Sequence, residues 1–363
     1  LVLFLLGCDK QIEDPLADIE KLIEDEKYEI ATEKAKSKLS SKRENDLIIL
    51  DKPSNQKKIV ELSNDRNRIV IAHDKNLIFR DLANPFVKNL IFPQTIIGLS
   101  VSTEAEHALV LFPLPNSAGC RMVLVSLIEN KNSYVSNSYV PCSSRGSMSS
   151  DGHIIYYFIG DNLYMEHTSE PKTSKMILDK KNFEYPHVNI KKKYYIYPIG
   201  KTFLILVGNA GSYIMFWFDP KQNTVEKLLE NVASPKIFYG NGKNLFFVSG
   251  TIGKLHWQEL KFPYYGKPSL QSDIPIELSE TYSWATSNPN EFIGGFKGQL
   301  FIWNTNKQKK YIPILTNAFW VVARDQILFE DNSGKLILTN TSFSEEDWKA
   351  LDVYRIAKNK REN

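Results

Sequence analysis

From Leu47 to about residue 343 the chain alternates short apolar runs with clusters of Gly, Asn, Asp, Ser and Pro. The runs are four to eight residues long and rich in Ile, Val, Phe and Tyr. Runs of that length, punctuated in that way, predict β-strands joined by turns. No helical period sustained over ten residues interrupts them before Ser344, which argues against the interleaved helices of an α/β fold. A long series of antiparallel hairpins is expected.

The runs also repeat. Val70 in RIVIAHD, Val110 in HALVLFPL, Tyr156 in HIIYYFIG, Leu204 in TFLILVGN, Phe246 in NLFFVSG, Phe292 in EFIGGFKG and Leu328 in QILFEDN stand at equivalent places. Their intervals run from 36 to 48 residues and average 43, the length of a four-stranded propeller blade. A second run follows in step: NLIFRDL, NLYMEHT, SYIMFWFD, KLHWQEL, QLFIWNT and KLILTNT. Trp217, Trp257 and Trp303 hold similar places in three of these, where a flat ring fills the gap between twisted sheets. The last group supplies only three strands, whereas Leu47 to Leu50 form an isolated strand before the first group. Pairing the two would complete a seventh blade and remove an exposed sheet edge. The expected fold is all-β, a seven-bladed β-propeller over residues 47–343.

Helical periodicity marks the two ends. Leu16, Ile19, Ile23 and Ile30 recur at spacings of 3, 4 and 7 among Glu and Lys, an N-terminal amphipathic helix that Asp14 can cap and Pro15 can open. From Thr32 to Asn45 the chain is Lys, Ser and Glu rich, so the helix is expected to fray into a linker. Beyond the strands, Ser344, Glu345 and Glu346 start a pattern with Trp348, Leu351 and Ile356 on one side. It predicts a short C-terminal helix lying against the ring, within residues 344–363.

Ahead of the first helix, Leu1, Val2, Leu3, Phe4, Leu5 and Leu6 form an apolar run closed by Gly7 and Cys8, after which Asp9, Lys10 and Gln11 are polar. The run is too short to span a bilayer, which takes roughly 20 residues. It reads either as the tail of a secretory signal or as a buried strand. The order Leu5, Leu6, Gly7, Cys8 resembles the bacterial lipobox. That resemblance implies cleavage before Cys8, with residues 1–7 the remnant of a signal peptide. It also implies acylation of Cys8, with residues 8–46 a lipid-anchored helix and linker. The body would then lie in the periplasm or at the cell surface, held to the inner or outer membrane of a bacterial cell envelope. With Cys8 assigned to lipid, Cys120 and Cys142 remain. In an oxidising compartment they can form a disulfide, or they can be two small buried residues, and the sequence does not set their distance.

The turn Ser149, Ser150, Asp151, Gly152, leading into HIIYYFIGDNLYME, resembles the Ser-x-Asp-Gly turn of bacterial TolB-like and WD40-like propellers. The stretch GGFKGQLFIWNT is similar to the third strand of a WD40 blade. Both imply a propeller, and with the anchor they imply an interaction scaffold, with envelope assembly as one setting for it.

Charge and chemistry alter this picture little. The 45 Lys and Arg residues against 42 Asp and Glu give a net charge of +3, too balanced to predict a nucleic-acid partner. Gly-x-Ser-x-Gly and His-Glu-x-x-His do not occur, and three Cys and six His show no metal-ligand spacing. No catalytic residue, metal or cofactor is therefore expected. His73 and Asp74, with Asp151 and His153, could face a common mouth as an acid–base group, although turn chemistry explains the two Asp residues more simply. The inner runs TIIGLSVST, KYYIYPIG and YSWATSNP carry few acids, which favours binding over glycosidase-type catalysis.

The candidate contact surface is aromatic: Tyr185 and His187 with Tyr194, and Tyr264 and Tyr265 in KFPYYGKP. Either loop could instead cover a blade edge. Basic clusters at Lys191 to Lys193 and at Lys307, Lys309 and Lys310 read as solvated loops. On a shared face they would attract an anionic surface such as lipid headgroups. The function expected is that of a membrane-anchored scaffold for other cell-envelope proteins. The alternative is a propeller hydrolase, or a solute or glycan receptor using the central channel with Trp284 and Trp320 as lining.

Overall fold

A computed structural model of the chain describes residues 16–43, 46–50, 58–84, 86–115, 119–129, 133–142, 145–169, 173–183, 192–209, 212–239, 244–251, 254–261, 269–273, 283–286, 288, 291–296, 298–304, 306, 308–316 and 318–362. Helices α1 (Ala17–Glu24) and α2 (Tyr28–Leu39) precede strand β1 (Leu47–Leu50). Three meanders of four strands follow. They are β2 (Ile59–Leu62) to β5 (Val87–Ile91), through β3 (Arg68–His73) and β4 (Asn76–Asp81); β6 (Gly98–Val101) to β9 (Tyr134–Pro141), through β7 (His107–Pro113) and β8 (Gly119–Ser126); and β10 (Ser147–Met148) to β13 (Ser174–Leu178), through β11 (Ile154–Ile159) and β12 (Asn162–His167). A sheet of seven strands comes next, β14 (Lys193–Ile199), β15 (Thr202–Asn209), β16 (Ser212–Asp219), β17 (Thr224–Tyr239), β18 (Asn244–Thr251), β19 (Lys254–Lys261) and β20 (Ser269–Asp273). After it lie β21 (Ser283–Ala285), β22 (Glu291–Phe296), β23 (Gln299–Asn304) and β24 (Lys309–Leu315), then β25 (Phe319–Val321), β26 (Ile327–Glu330) and β27 (Leu336–Thr339), and last helix α3 (Glu345–Glu362).

The arrangement is that of a β-propeller, all-β apart from its terminal helices. The repeat residues Val70, Val110, Tyr156, Leu204, Phe246, Phe292 and Leu328 fall on β3, β7, β11, β15, β18, β22 and β26, and every one is buried. A strand covered on both faces must be apolar at nearly every position, and so the period is plainest there. Six hydrogen-bonded sheets form among the described residues where seven separate blades are expected. The reason is β17, which runs unbroken for 16 residues. Its first part pairs with β16 as far as Val232, and its last part, Ile237 to Tyr239, pairs with β18 after a register shift.

Apolar clusters fill the spaces between consecutive groups of strands all the way round. Trp257, Phe292 and Trp303 stack at 5.1 and 5.2 Å between β19 and β22–β23. Trp217 is only partly buried. The circle closes where β1 pairs antiparallel with β27, Leu47 opposite Leu338 and Ile48 opposite Ile337. Leu50 then joins Val60, Leu62, Ile69, Ile71, Val322 and Leu328 in one cluster between the first and last groups. The N-terminal strand is the fourth strand of the last sheet, as the isolated Leu47 to Leu50 run implies.

The helices depart from the sequence reading. Residues 32–39 do not fray: α2 continues to Leu39, with Ala31, Thr32, Ala35 and Leu39 buried. The chain breaks earlier, around Glu26 in a left-handed conformation (φ 58°), and the break shifts the helical phase. Ile30 is therefore 51% exposed, while Leu16, just before α1, and Ile19 on α1 stay buried. These residues pack with Ala350, Leu351, Tyr354 and Ala357 of α3 and with Leu315 of β24. Ile356, expected on the inner side of α3, is exposed. Helix α3 starts on a reciprocal cap: the Asp347 N–H donates to Ser344 Oγ at 3.1 Å, and the Ser344 N–H donates to Asp347 Oδ2 at 2.9 Å. Asp14 and Pro15 lie outside the described residues. Among the described residues no helix is long and apolar enough to cross a membrane.

Candidate functional site

The inner strands β2, β6, β10 and β14 stand side by side around the axis, and each group contributes a polar or aromatic residue there. Arg145, just before β10, sets Nη2 at 2.6 Å from Glu61 Oε2 on β2. Its Nε donates to Ser100 Oγ on β6 at 3.3 Å, and its guanidinium lies 4.9 Å from the ring centre of Tyr197 on β14. The Arg145 N–H donates to the Tyr194 carbonyl at 3.4 Å, beside a parallel bridge to Tyr195. The next residue, Gly146, packs closely against β7, where a Cβ would come within 2.9 Å of Leu109 Cδ2. Ser100 and Tyr197 are buried, and the side chains of Arg145 and Glu61 are 25% and 21% exposed.

Burial pushes the Tyr197 hydroxyl up to about 12, against Arg145 and with the help of the Glu61 carboxylate. Tyr197 is therefore a neutral phenol at pH 7, a surface for a cation rather than a base. Two residues beyond Arg145, Ser147 is fully buried, and its hydroxyl has no hydrogen-bond partner among the described residues. A second buried group lies farther out: Glu166 meets the hydroxyls of Tyr134, of Ser136 at 3.0 Å and of Tyr157 at 3.1 Å.

At one end of the inner strands a single turn design recurs. In the Ser149 turn, Ser149 Oγ donates to Asp151 Oδ1 at 2.6 Å, the His153 N–H donates to the same oxygen at 3.0 Å, and the Ile154 N–H donates to Ser149 Oγ. Ser63 and Asp65 repeat these contacts at 2.5 and 3.0 Å, with Asn67 and Arg68 supplying the N–H groups. Ser102 and Thr286 use their hydroxyls in related turns. The residue with positive φ is Gly152 in one turn, but Arg66 and Ala105 in two others. The repeated signal is therefore the leading Ser or Thr rather than the glycine. Arg66, buried and near Asp325, has its guanidinium pushed down to about 10 by burial, an effect Asp325 opposes.

Burial would raise the carboxyls of Asp65 and Asp151, but hydrogen bonds outweigh it and hold both below their usual 3.8. A carboxylate held low contributes stability above its unfolded pKa and loses it as the pH falls through the folded one. Asp151→Ala should therefore lower stability by about 1 kcal/mol at pH 7. The gap to the parent protein should narrow below about pH 4, read by urea unfolding across a pH series. A gap that stays constant down to the acid limit would refute the assignment.

The remaining candidates are placed as follows. Cys120 and Cys142 are joined as a disulfide, with their Cα atoms 5.0 Å apart. Tyr194 is no contact residue: it is buried against Phe158 at 4.2 Å, and its hydroxyl donates to Asp161 at 2.6 Å. Burial and that bond push its hydroxyl up. A tyrosine in an aromatic loop looks amphipathic, and only the packing reveals which end faces the core. Cys8, Tyr185, His187, Tyr264 and Tyr265 lie outside the described residues. His73 and Asp74 do not share a mouth with Asp151 and His153. The first pair sits at the β3–β4 turn and the second at the β10–β11 turn, which are opposite ends of equivalent meanders. Asp74 instead accepts from Thr95 Oγ1 at 2.8 Å. Among the described residues no group of three His, Cys, Asp or Glu side chains is placed to hold a metal ion.

No family model matches the sequence, and no curated protein matches it. Solved structures do match. An oligogalacturonate lyase in complex with manganese is 13% identical with a TM-score of 0.51, over 79% of this chain and 89% of its own. The hydrazine synthase of Kuenenia stuttgartiensis is 9% identical with a TM-score of 0.50, over 83% and 99%. A chain of the mitotic checkpoint complex is 11% identical with a TM-score of 0.51, over 83% and 95%. A lyase, a synthase and a checkpoint assembly have a fold in common rather than an activity. By fold, this chain is a β-propeller.

Proposed function

We propose that the chain is a membrane-anchored lipoprotein of the bacterial cell envelope whose seven-bladed propeller is a scaffold for other envelope proteins. Residues 1–7 are the signal-peptide remnant in this reading, and Cys8 carries the lipid. The seven-stranded sheet counts as two blades sharing β17. Support for that count comes from the seven repeat residues and from the apolar clusters lying between each pair of successive groups. The Cys120–Cys142 disulfide suits an exported protein.

The observation that carries the scaffold role is the outer rim. Val87 and Ile91 on β5, and Val135 and Tyr139 on β9, are exposed, Ile91 at 76%. Both are outermost strands of neighbouring sheets. An edge strand that exposes large apolar side chains is a template for an added strand or a partner surface. At the axis, by contrast, Glu61, Ser100, Arg145 and Tyr197 are occupied with one another, which favours binding at the rim over chemistry in the channel.

The test is crosslinking and pull-down from intact envelopes, with mass spectrometry of the peptide that begins at Cys8. An acylated Cys8 is expected, with a defined envelope protein recovered. Recovery should fall about tenfold, the equivalent of roughly 1.4 kcal/mol, in Ile91→Asp/Tyr139→Asp protein of unchanged melting temperature. Recovery unaffected by these substitutions, or an unmodified Cys8, would count against the corresponding half of the reading.

A further inference from the structure

Where α3 meets β24, cations gather on aromatic rings. The Lys310 ammonium lies 4.6 Å from the ring centre of Trp348, and the Arg355 guanidinium lies 4.5 Å from that of Tyr311. Lys309 lies 4.9 Å from the same Tyr311 ring and 4.3 Å from Phe301, and Lys358 lies 5.8 Å from Tyr354. The acids of the first turn of α3 are engaged elsewhere: Glu345 with Lys349 at 3.8 Å, Glu346 with Lys38, and Asp347 with Arg43 at 3.0 Å. Between Lys349 and Arg361 only Asp352 is acidic. Lys310 and Arg355 are exposed and make no ion pair among the described residues. A flat ring under Lys310 and another under Arg355 hold these cations in place while leaving their far sides to solvent.

This face belongs to the same helical layer as the start of α1. Leu16 is buried in the cluster that contains Ala350, Leu351 and Tyr354 of α3, with Tyr311 packed against it. Leu16 follows Cys8 by eight residues, and eight residues reach about 28 Å at full extension. An acyl anchor at Cys8 therefore keeps the layer close to a bilayer, whichever way the ring turns.

We infer that the cations at the α3–β24 seam, Lys310, Arg355 and Lys358, dock on anionic lipid headgroups of the membrane that holds Cys8. The inference rests on the lipoprotein reading. Each basic residue brought to an anionic surface contributes roughly fivefold in affinity, and the attraction fades over about 8 Å at physiological salt. Three cations at one seam cannot replace the anchor. They orient the body, turning the helical layer to the membrane.

The test uses the full chain carrying Cys8→Ala, so that no lipid contributes, and sedimentation with vesicles of phosphatidylcholine alone or mixed with phosphatidylglycerol. Binding is expected to the mixed vesicles only, weakening steeply with salt. It should fall roughly 100-fold in Lys310→Gln/Arg355→Gln/Lys358→Gln protein and stay unchanged in Lys221→Gln/Lys254→Gln protein, whose exposed lysines lie on another sheet. If circular dichroism shows the triple variant misfolded, the single Lys358→Gln change, expected to cost about fivefold, and the salt titration of the parent decide. Equal binding to both vesicles, no binding, or equal loss in the two variants would overturn the docking surface. Acylation is measured separately. Anionic binding with an unmodified Cys8 would remove the anchor and leave the surface, whereas an acylated Cys8 without anionic preference would remove the surface alone.

Discussion

Deleting residues 1–50 should abolish cooperative folding of the propeller. The deletion removes β1, so the last sheet loses its fourth strand and the ladder opposite Ile337 and Leu338. It also removes α1 and α2, uncovering Ala350, Leu351, Tyr354 and Ala357 on α3. Leu16, Ile19, Leu39 and Leu50 are all buried, and at about 2 kcal/mol for each large side chain their loss alone approaches 8 kcal/mol. That is comparable to the whole stability of an ordinary domain, about 5–15 kcal/mol. Gel filtration and urea unfolding should show aggregate or a non-cooperative transition. A monomer that unfolds at the parent midpoint would show that the ring does not depend on its clasp. Leu50→Asp is the local version and should cost about 3 kcal/mol, since it sets a carboxylate among Val60, Leu62 and Leu328.

Trp303→Ala should be among the most damaging truncations in the ring, at about 3–5 kcal/mol. Trp303 is 1% exposed and stacks on Phe292, whose other neighbour is Trp257. Removing its ring leaves a cavity lined by Phe292 and Phe301, which the strand pairing of its own sheet fixes in place, so collapse is poor. Trp303→Phe should recover more than half of the loss. Trp217→Ala should cost visibly less, about 1–2 kcal/mol, because that ring is only partly buried. Chemical unfolding followed by far-ultraviolet circular dichroism measures all three. Equal costs at positions 217 and 303 would mean that the aromatic stack is not what joins these two groups.

Legibility followed the physics of each element. The buried strands are legible because both their faces are covered, and the clasp is legible because the chain has one strand over at its start and a group one strand short at its end. Helix phase is not legible at Ile30, since one left-handed residue at Glu26 rotates everything after it. The Ser149 turn stood out by its glycine, while the equivalent turn at Ser63 was hidden by an arginine in the left-handed position. Tyr194 was placed on the surface by its loop and in the core by its packing.

By itself, then, the sequence determined the strands, their period and the closure of the circle, because burial on both faces imposes an apolar residue at almost every position of the second strand. Tertiary structure alone decided which polar residues meet. Glu61, Ser100, Arg145 and Tyr197 belong to four different groups of strands and converge because inner strands line one axis. Lys310 and Arg355 come from a strand and a helix, and each sits on a ring of the other element because α3 packs back onto β24. No local pattern encodes such meetings, since they depend on the angle at which each sheet follows the last.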